Sequence, residues 1–510
     1  MTNRLGAVCL ALLLTPLAGY SASDQQCRNL YRLTDVSWAV EPGMVIAASD
    51  ETPAHCRLRG VVNRAIRVEV RMPVEGWNGR FMFSTVGGAA GSIGDTTSLL
   101  ERGFAMASTD TGHEGQTMEF LMQPEAALDY AYRGVHLATL FAKAVITNYY
   151  DRDIAYSYLQ GCSNGGRAAL MEAVRFPTDY DGIIAGAPAF RFVEFASWMI
   201  GGTEQQLRHP LTEAALQVLD DNSRTACDAL DGVTDGVVND PRRCTQELLN
   251  LDALMCIEGQ NPEGQSEEGQ NENCLSKGQI GTARYMYADQ VDDQGNVVSP
   301  GVLPGAEAAG DWSFWMLPND MLGSDSLIGG MKDTLAMMMR HDRSFDIEAY
   351  DPNNDRADLA EAGSIMDIQT ADLSEFKAHG GKLLMYQGWN DYPLRPQRAI
   401  SYLKEAESHH GGRRGTADFF RLFMVPGMVH CAAGPGAWVA DYVDPLVRWR
   451  EDGEAPDRIE AQTGATRFTL VREDSDEDDV RFTRPLCPYP RLAQYRGRGD
   501  QTRSENFHCK

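Results

Sequence analysis

The pentapeptide Gly161-Cys162-Ser163-Asn164-Gly165 sets a serine among small residues. It follows a segment at 156–160 that reads as a buried strand and precedes residues 165–176, where Ala168, Ala169, Leu170, Ala173 and Val174 recur at helical spacing. A strand that turns sharply into a helix needs small neighbours on both sides, and such a turn lifts the serine oxygen above the sheet. A serine hydroxyl attacks a carbonyl only when a base takes its proton. The base in turn needs a carboxylate to hold its tautomer and stabilise its charged form. Asp391 fits the acid, because it follows a strand-like segment ending in Tyr386-Gln387-Gly388-Trp389-Asn390. His430 fits the base: it follows the strand-like segment 419–425 through Pro426-Gly427-Met428, in a post-strand loop beside a cysteine. The chain order serine, acid, histidine is the one that this strand-turn-helix chemistry uses.

That cysteine supplies a geometric condition. If Ser163 Oγ and His430 Nε2 lie within hydrogen-bond reach, Cys162 and Cys431 come close, and a disulfide needs α-carbons only roughly 4.4 to 6.8 Å apart. An oxyanion site should combine the amide of Asn164, next after the serine, with one from an early loop. Val86-Gly87-Gly88-Ala89-Ala90-Gly91 ends a strand-like segment there, and Gly88 is the residue chosen.

A second cluster sits at 227–237. Asp228, Asp231 and Asp235 stand among turn glycines, and hard oxygen ligands on a tight loop suit Ca²⁺, with the main-chain oxygens of Val233 and Val237 completing the shell. The spacing is not that of an EF-hand. The loop has neither base nor nucleophile, so a structural role is expected, and no organic cofactor is.

The elements that must position these groups read as α/β. Residues 80–85, 104–108 and 156–160 are strand-like and 136–149 helical. The pattern breaks at 191–378, with long polar connections, four cysteines and a Met- and Trp-rich stretch, and resumes with strands at 382–387 and 419–425. The expected layout is a doubly wound sheet in two parts, 24–190 and 379–510, with 191–378 inserted as a lid carrying the calcium loop. Trp312, Phe314 and Trp315 are candidates for an aromatic slot in that lid, and Arg340 for a partner to a phenolate or carboxylate.

Residues 1–23 read as a secretion signal: Arg4, the apolar stretch 5–17, then Gly19, Ser21, Ala22 and Ser23. Of eleven cysteines, Cys9 falls in that segment. The ten others, Cys27, Cys56, Cys162, Cys227, Cys244, Cys256, Cys274, Cys431, Cys487 and Cys509, suit five disulfides in an exported chain. Spacing suggests local loops for 227 with 244, 256 with 274 and 487 with 509, leaving 27, 56, 162 and 431. A net charge of −26 argues against nucleic acid or an anionic membrane as partner. The segments suit a secreted or periplasmic protein, and its oligomeric state is not readable.

Together, Thr109-Asp110-Thr111-Gly112-His113, the stretch 161–167, Asp181-Gly182-Ile183-Ile184-Ala185-Gly186-Ala187-Pro188, the 228–237 loop, residues 388–391 and His430-Cys431 make the chain similar to the tannase and feruloyl esterase family over nearly all its mature length. The resemblance implies an α/β-hydrolase core with a lid, a Ser163, Asp391 and His430 triad, calcium in the lid loop, and hydrolysis of aromatic carboxylic esters of feruloyl, galloyl, chlorogenic or terephthaloyl type. It also implies disulfides of 162 with 431, 27 with 56, 227 with 244, 256 with 274 and 487 with 509. Two positions depart from the family: Asn164 stands where many relatives carry threonine, and Val86 replaces a more polar residue. The competing readings are a hydrolase of the same fold for other esters or amides, and an inactive calcium-dependent binding protein.

Overall fold

The computed structural model describes residues 22–257, 274–317, 334, 337–338, 356–466 and 480–510. Arg340 and most of the expected secretion signal, residues 1–21, lie outside the described residues.

Ten strands form one mixed sheet. Four come first in the chain: β1 (Trp38–Val40), β2 (Met44–Ile46), β3 (His55–Val62) and β4 (Ile66–Pro73). They pair antiparallel, with β1 and β2 both on β3. The remaining strands are β5 (Arg80–Ser84), β6 (Ala105–Thr109), β7 (Tyr156–Cys162) and β8 (Gly182–Gly186). After a short hairpin of β9 (Gln290–Val291) and β10 (Val297–Ser299) come β11 (Lys382–Gly388) and β12 (Phe420–Val425). The sheet order is β3-β4-β6-β5-β7-β8-β11-β12, parallel from β6 onward.

The parallel strands are mainly apolar because both faces are covered. Alternate residues serve opposite layers: Phe81 and Phe83 of β5 join the core on one face, with Ile183 of β8 and Leu383 and Met385 of β11. Met82, Ile184 and Leu384 join the core on the other, beside the helix Val443–Glu451. The first core also takes the helices Gly134–Tyr150 and Asn164–Arg175.

The antiparallel strands β1 to β4 have no counterpart in the expected elements. One face of β3 and β4 is charged: Glu69 is almost wholly buried beneath Arg57, Arg59 and Arg71. Burial opposes its ionisation, but hydrogen bonds from Arg59, Arg71 and Arg57 win and hold its carboxyl at about 2.

Between β8 and β11 the chain builds the helices Phe192–Arg208, Glu213–Cys227 and Lys277–Tyr287, the β9/β10 hairpin and the short helix Asp311–Met316. They share a core of Trp198, Leu216, Leu219, Ile280, Met286 and Trp312, into which Tyr392 projects from the loop after β11. Disulfides join Cys27 with Cys56, Cys162 with Cys431, Cys227 with Cys244, Cys256 with Cys274 and Cys487 with Cys509.

Candidate active site

Ser163 is the one residue between β7 and the helix Asn164–Arg175, and it adopts φ 62°, ψ −124°. A non-glycine residue there stores strain of order 1 to 3 kcal/mol, held in place by its surroundings. The flanking glycines explain how the turn closes. A Cβ on Gly161 would lie 1.8 Å from Thr85 Oγ1, and one on Gly165 would lie 3.2 Å from the Thr85 carbonyl carbon. Thr85 Oγ1 lies 2.9 Å from the carbonyl oxygens of Gln160 and of Gly165, so the end of β5 is tied to the turn.

The loops after β11 and β12 run side by side. Trp389 N–H donates to the Val425 carbonyl at 3.0 Å and Asn390 N–H to that of Met428 at 3.1 Å. A Cβ on Gly388 would lie 2.3 Å from the Met428 oxygen, so only glycine permits that approach. This places His430 Nδ1 3.0 Å from Asp391 Oδ2 and His430 Nε2 2.9 Å from Ser163 Oγ. The other lone pairs of the buried Asp391 carboxylate accept from Gln387 Nε2 at 2.9 Å and Leu394 N–H at 2.8 Å. An ionised Asp391 makes Nδ1 the donor and leaves Nε2 to accept the serine proton. Burial opposes protonation of His430, but the charge and hydrogen bond of Asp391, with Asp311 adding, hold the imidazole above its ordinary value. Cys162 and Cys431, the next residues on either side, have α-carbons 6.0 Å apart.

Asn164 opens its helix, so its amide belongs to the first turn, which lacks intrahelical acceptors. Its side chain turns inward: Nδ2 donates to the Val86 carbonyl at 3.2 Å, and Oδ1 accepts from Arg167 Nε and Nη2 at 2.9 and 2.7 Å. Arg167 is wholly buried and donates to the carbonyls of Tyr130 and Ala131 as well. Tyr130 Oη then donates to the Gly88 carbonyl at 3.0 Å. Gly88 has φ +58°, while a Cβ on Gly87 would lie 3.7 Å from that of Ser163, so the Gly87-Gly88 turn passes beside the serine. Arg167 and Gln387 escaped the sequence reading as positioning groups; their only signal is a polar residue inside an apolar helix or strand.

The aromatic candidates separate. Trp315 is half-buried and edge-on to the His430 ring, centroids 5.7 Å apart, with Phe195 edge-on to Trp315 at 6.1 Å. Phe314 packs edge-on against Trp315 at 5.2 Å. Trp312 does not line the site: it is 1% exposed, packed between Tyr287 and Tyr392.

In the 228–237 loop, Asp228 Oδ1 and Oδ2 accept from Asp235 and Gly236 N–H at 3.2 and 3.0 Å, and Asp235 also pairs with Arg484. The three carboxylates are not drawn to one point; among the described residues, the compact group of such side chains is His136, Glu172 and Asp179. Yet the donor set suits a hard cation. Burial, with the charges of Asp235 and Asp228, pushes Asp231 up to about 6; burial, with Asp228, raises Asp235 despite Arg484. A void of about 20 Å³ borders Asp231, Asp235 and the Val237 residue, room for one small species.

The sheet order, with a serine at the β7 turn and its partners in the loops after β11 and β12, defines an α/β-hydrolase. Feruloyl esterase B from Aspergillus oryzae shares the fold at a TM-score of 0.82 and 24% identity, over 96% of this chain and 100% of that one. Tannin acyl hydrolase from Aspergillus niger does so at 0.74 and 20%, over 96% and 94%. Mono(2-hydroxyethyl) terephthalate hydrolase of Piscinibacter sakaiensis is 32% identical, over 95% of this chain and 90% of that protein. The probable feruloyl esterase B of Aspergillus clavatus is 29% identical, over 89% and 86%. Residues 54–510 match the family described as tannase and feruloyl esterase, and the chain belongs to it. It is a carboxylic ester hydrolase.

Proposed function

We propose that this hydrolase is an exported serine esterase that cleaves aromatic carboxylic esters through an acyl-enzyme. The observation that carries the mechanism is the chain Ser163 Oγ, His430 Nε2 and Nδ1, Asp391 Oδ2, with links of 2.9 and 3.0 Å at a left-handed serine. Ser163 Oγ attacks the ester carbonyl while its proton passes to His430 Nε2. The oxyanion is met by the amide of Asn164 and one from the turn at Gly88. His430 returns the proton to the departing alcohol oxygen, leaving an acyl-serine. Water then attacks that acyl carbon, its proton going to His430 and on to Ser163 Oγ as the acid leaves.

Aromatic acyl groups are favoured by Trp315 beside His430, with Phe195 packed against Trp315 in turn, since such rings suit an aromatic face. Relatives named for feruloyl, tannin and terephthaloyl esters point the same way. Residues 191–378 act as the lid that brings Trp315 to the site. Asp228, Asp231 and Asp235, with the carbonyls of Val233 and Val237, would hold a calcium ion, whose contribution is to relieve their repulsion and stiffen the loop. Export rests on the sequence of residues 1–23 and on the five disulfides.

The test is a panel of methyl ferulate, methyl gallate, mono(2-hydroxyethyl) terephthalate and p-nitrophenyl butyrate with wild type and Ser163→Ala, plus fluorophosphonate labelling. Preference for an aromatic acid, lost with labelling in Ser163→Ala, is expected. Turnover retained by the variant would discard the serine mechanism, and activity on butyrate alone would discard the aromatic assignment.

A further inference from the structure

Asp311 is the first residue of the helix Asp311–Met316 and is completely buried. Its Oδ2 accepts two backbone N–H groups, from Tyr392 at 2.9 Å and from His430 at 3.2 Å. One oxygen therefore grips the residue after the acid and the histidine itself, in loops that leave two different strands. Among the described residues its buried Oδ1 has no hydrogen-bond partner. Burying a carboxylate with one oxygen unsatisfied is costly, and the favourable place of an acid in the first turn of a helix offsets only part of that cost. The rationale lies in the two amides.

We propose that Asp311 is a positioning residue for the Asp391–His430 pair, and that it couples the inserted segment to the catalytic loops. Sharing one acceptor sets the spacing of the two amides, and with it the 3.0 Å contact between His430 Nδ1 and Asp391 Oδ2. Because Trp315 lies on the same short helix, the contact also fixes that indole against the His430 ring. The insertion and the proton relay are thus registered by one side chain.

The groups facing Asp311 are Asp391 and Tyr392 from the first loop, His430 from the second, and the buried Arg395 guanidinium. Burial and the charge of Asp391 push Asp311 up to about 7, and its negative form favours a protonated His430. Asparagine can keep an oxygen where Oδ2 stands while removing that charge; alanine removes the acceptor. The inference rests on the reading of Ser163, His430 and Asp391 as the reacting groups.

The experiment uses the full disulfide-bonded chain with methyl ferulate and p-nitrophenyl acetate. It measures kcat, KM and the pH profile of kcat/KM for Asp311→Asn and Asp311→Ala, with melting curves to establish folding. Asp311→Ala is expected to lose about 100-fold in kcat with KM changed less than about threefold, the scale of a misplaced catalytic group. Asp311→Asn is expected to keep kcat within about fivefold and to move the acidic limb of kcat/KM to lower pH. Wild-type kcat in folded Asp311→Ala, equal loss in both variants, or an unmoved limb in Asp311→Asn would overturn the proposal. If Asp311→Ala fails to fold, the Asp311→Asn limb alone decides. Ser163→Ala separates the two ideas. Full activity in Ser163→Ala removes the underlying mechanism, whereas a dead Ser163→Ala beside a fully active Asp311→Ala removes only the role of Asp311.

Discussion

Removing the Cys162–Cys431 bridge with the paired change Cys162→Ala and Cys431→Ala should reduce both stability and turnover, by amounts that can be set in advance. The bridge joins residues 269 apart in sequence. The chain-entropy relation for a loop of that length gives about 5 to 6 kcal/mol at 25 °C. The inner bridges Cys227–Cys244 and Cys256–Cys274 shorten the loop by only 17 and 18 residues, which changes little because the dependence is logarithmic. With an unfolding entropy near 2.1 cal/mol/K per residue, a chain of 510 residues has about 1 kcal/mol/K in all, so the melting temperature should fall by roughly 5 °C. The consequence for turnover is separate. Ser163 and His430 are the immediate neighbours of the two sulfurs, and their contact is 2.9 Å. If freeing the bridge lets the histidine loop drift by about 1 Å, kcat should fall by roughly 10- to 100-fold while KM changes little. Calorimetry and steady-state hydrolysis of methyl ferulate at 25 °C read both quantities. A variant with an unchanged melting temperature and unchanged kcat would refute the reasoning, since backbone contacts such as Asn390 to Met428 would then place His430 unaided.

The protonation and ion-binding groups lead to further outcomes. His430 must be neutral to act as base; its pKa is raised in the folded chain, so the acidic limb of kcat/KM should lie above the ordinary histidine value of about 6.5. Asp391→Asn should move that limb down and cut kcat by about 10⁴. Glu69 is held at about 2 against an ordinary 4.5. A depressed carboxyl contributes stability that is fully present above about pH 4.5 and is lost as pH falls toward 2. Allowing for water around the half-exposed Arg59, Glu69→Gln should remove roughly 2 kcal/mol at pH 7 and flatten that acid dependence in urea titrations. Chelating calcium should lower the melting temperature with little change in kcat, and calcium affinity should fall as pH drops through about 6, where Asp231 takes up a proton. An unshifted melting curve with EGTA at pH 8 would remove the metal from the loop.

The part of this site that the sequence spells out is the part whose chemistry is local. Gly161 and Gly165 flank Ser163 because the turn leaves no room for a Cβ, and Cys431 follows His430 because its bridge partner precedes Ser163. Such constraints act between adjacent residues, so spacing carries them. The parallel strands were legible for a similar reason: both faces are covered, so their apolar runs stand out. Strands β3 and β4 were not, because Arg57, Arg59, Glu69 and Arg71 break the apolar alternation on a face whose burial depends on their mutual pairing. Trp312 shows the opposite failure. A tryptophan in an inserted segment suits a pocket or a core equally well, and only the neighbours Tyr287 and Tyr392, distant in sequence, settle which.

The groups that hold the triad in place form a third class. Gln387, Arg167, Tyr130 and Asp311 act mainly on backbone amides and carbonyls. Main-chain groups are the same at every residue, so a side chain that grips one leaves no matching residue type at the other end. For His430 the consequence is concrete: its position depends on Cys431, which the sequence pairs with a visible cysteine, and on Asp311, whose partners are two anonymous amides. The two restraints enter from opposite directions, one from the serine turn and one from the inserted segment. Loss of either should therefore leave the other acting, and the loss of kcat on removing both should exceed the product of the two single losses, as for two restraints that back each other up on one group.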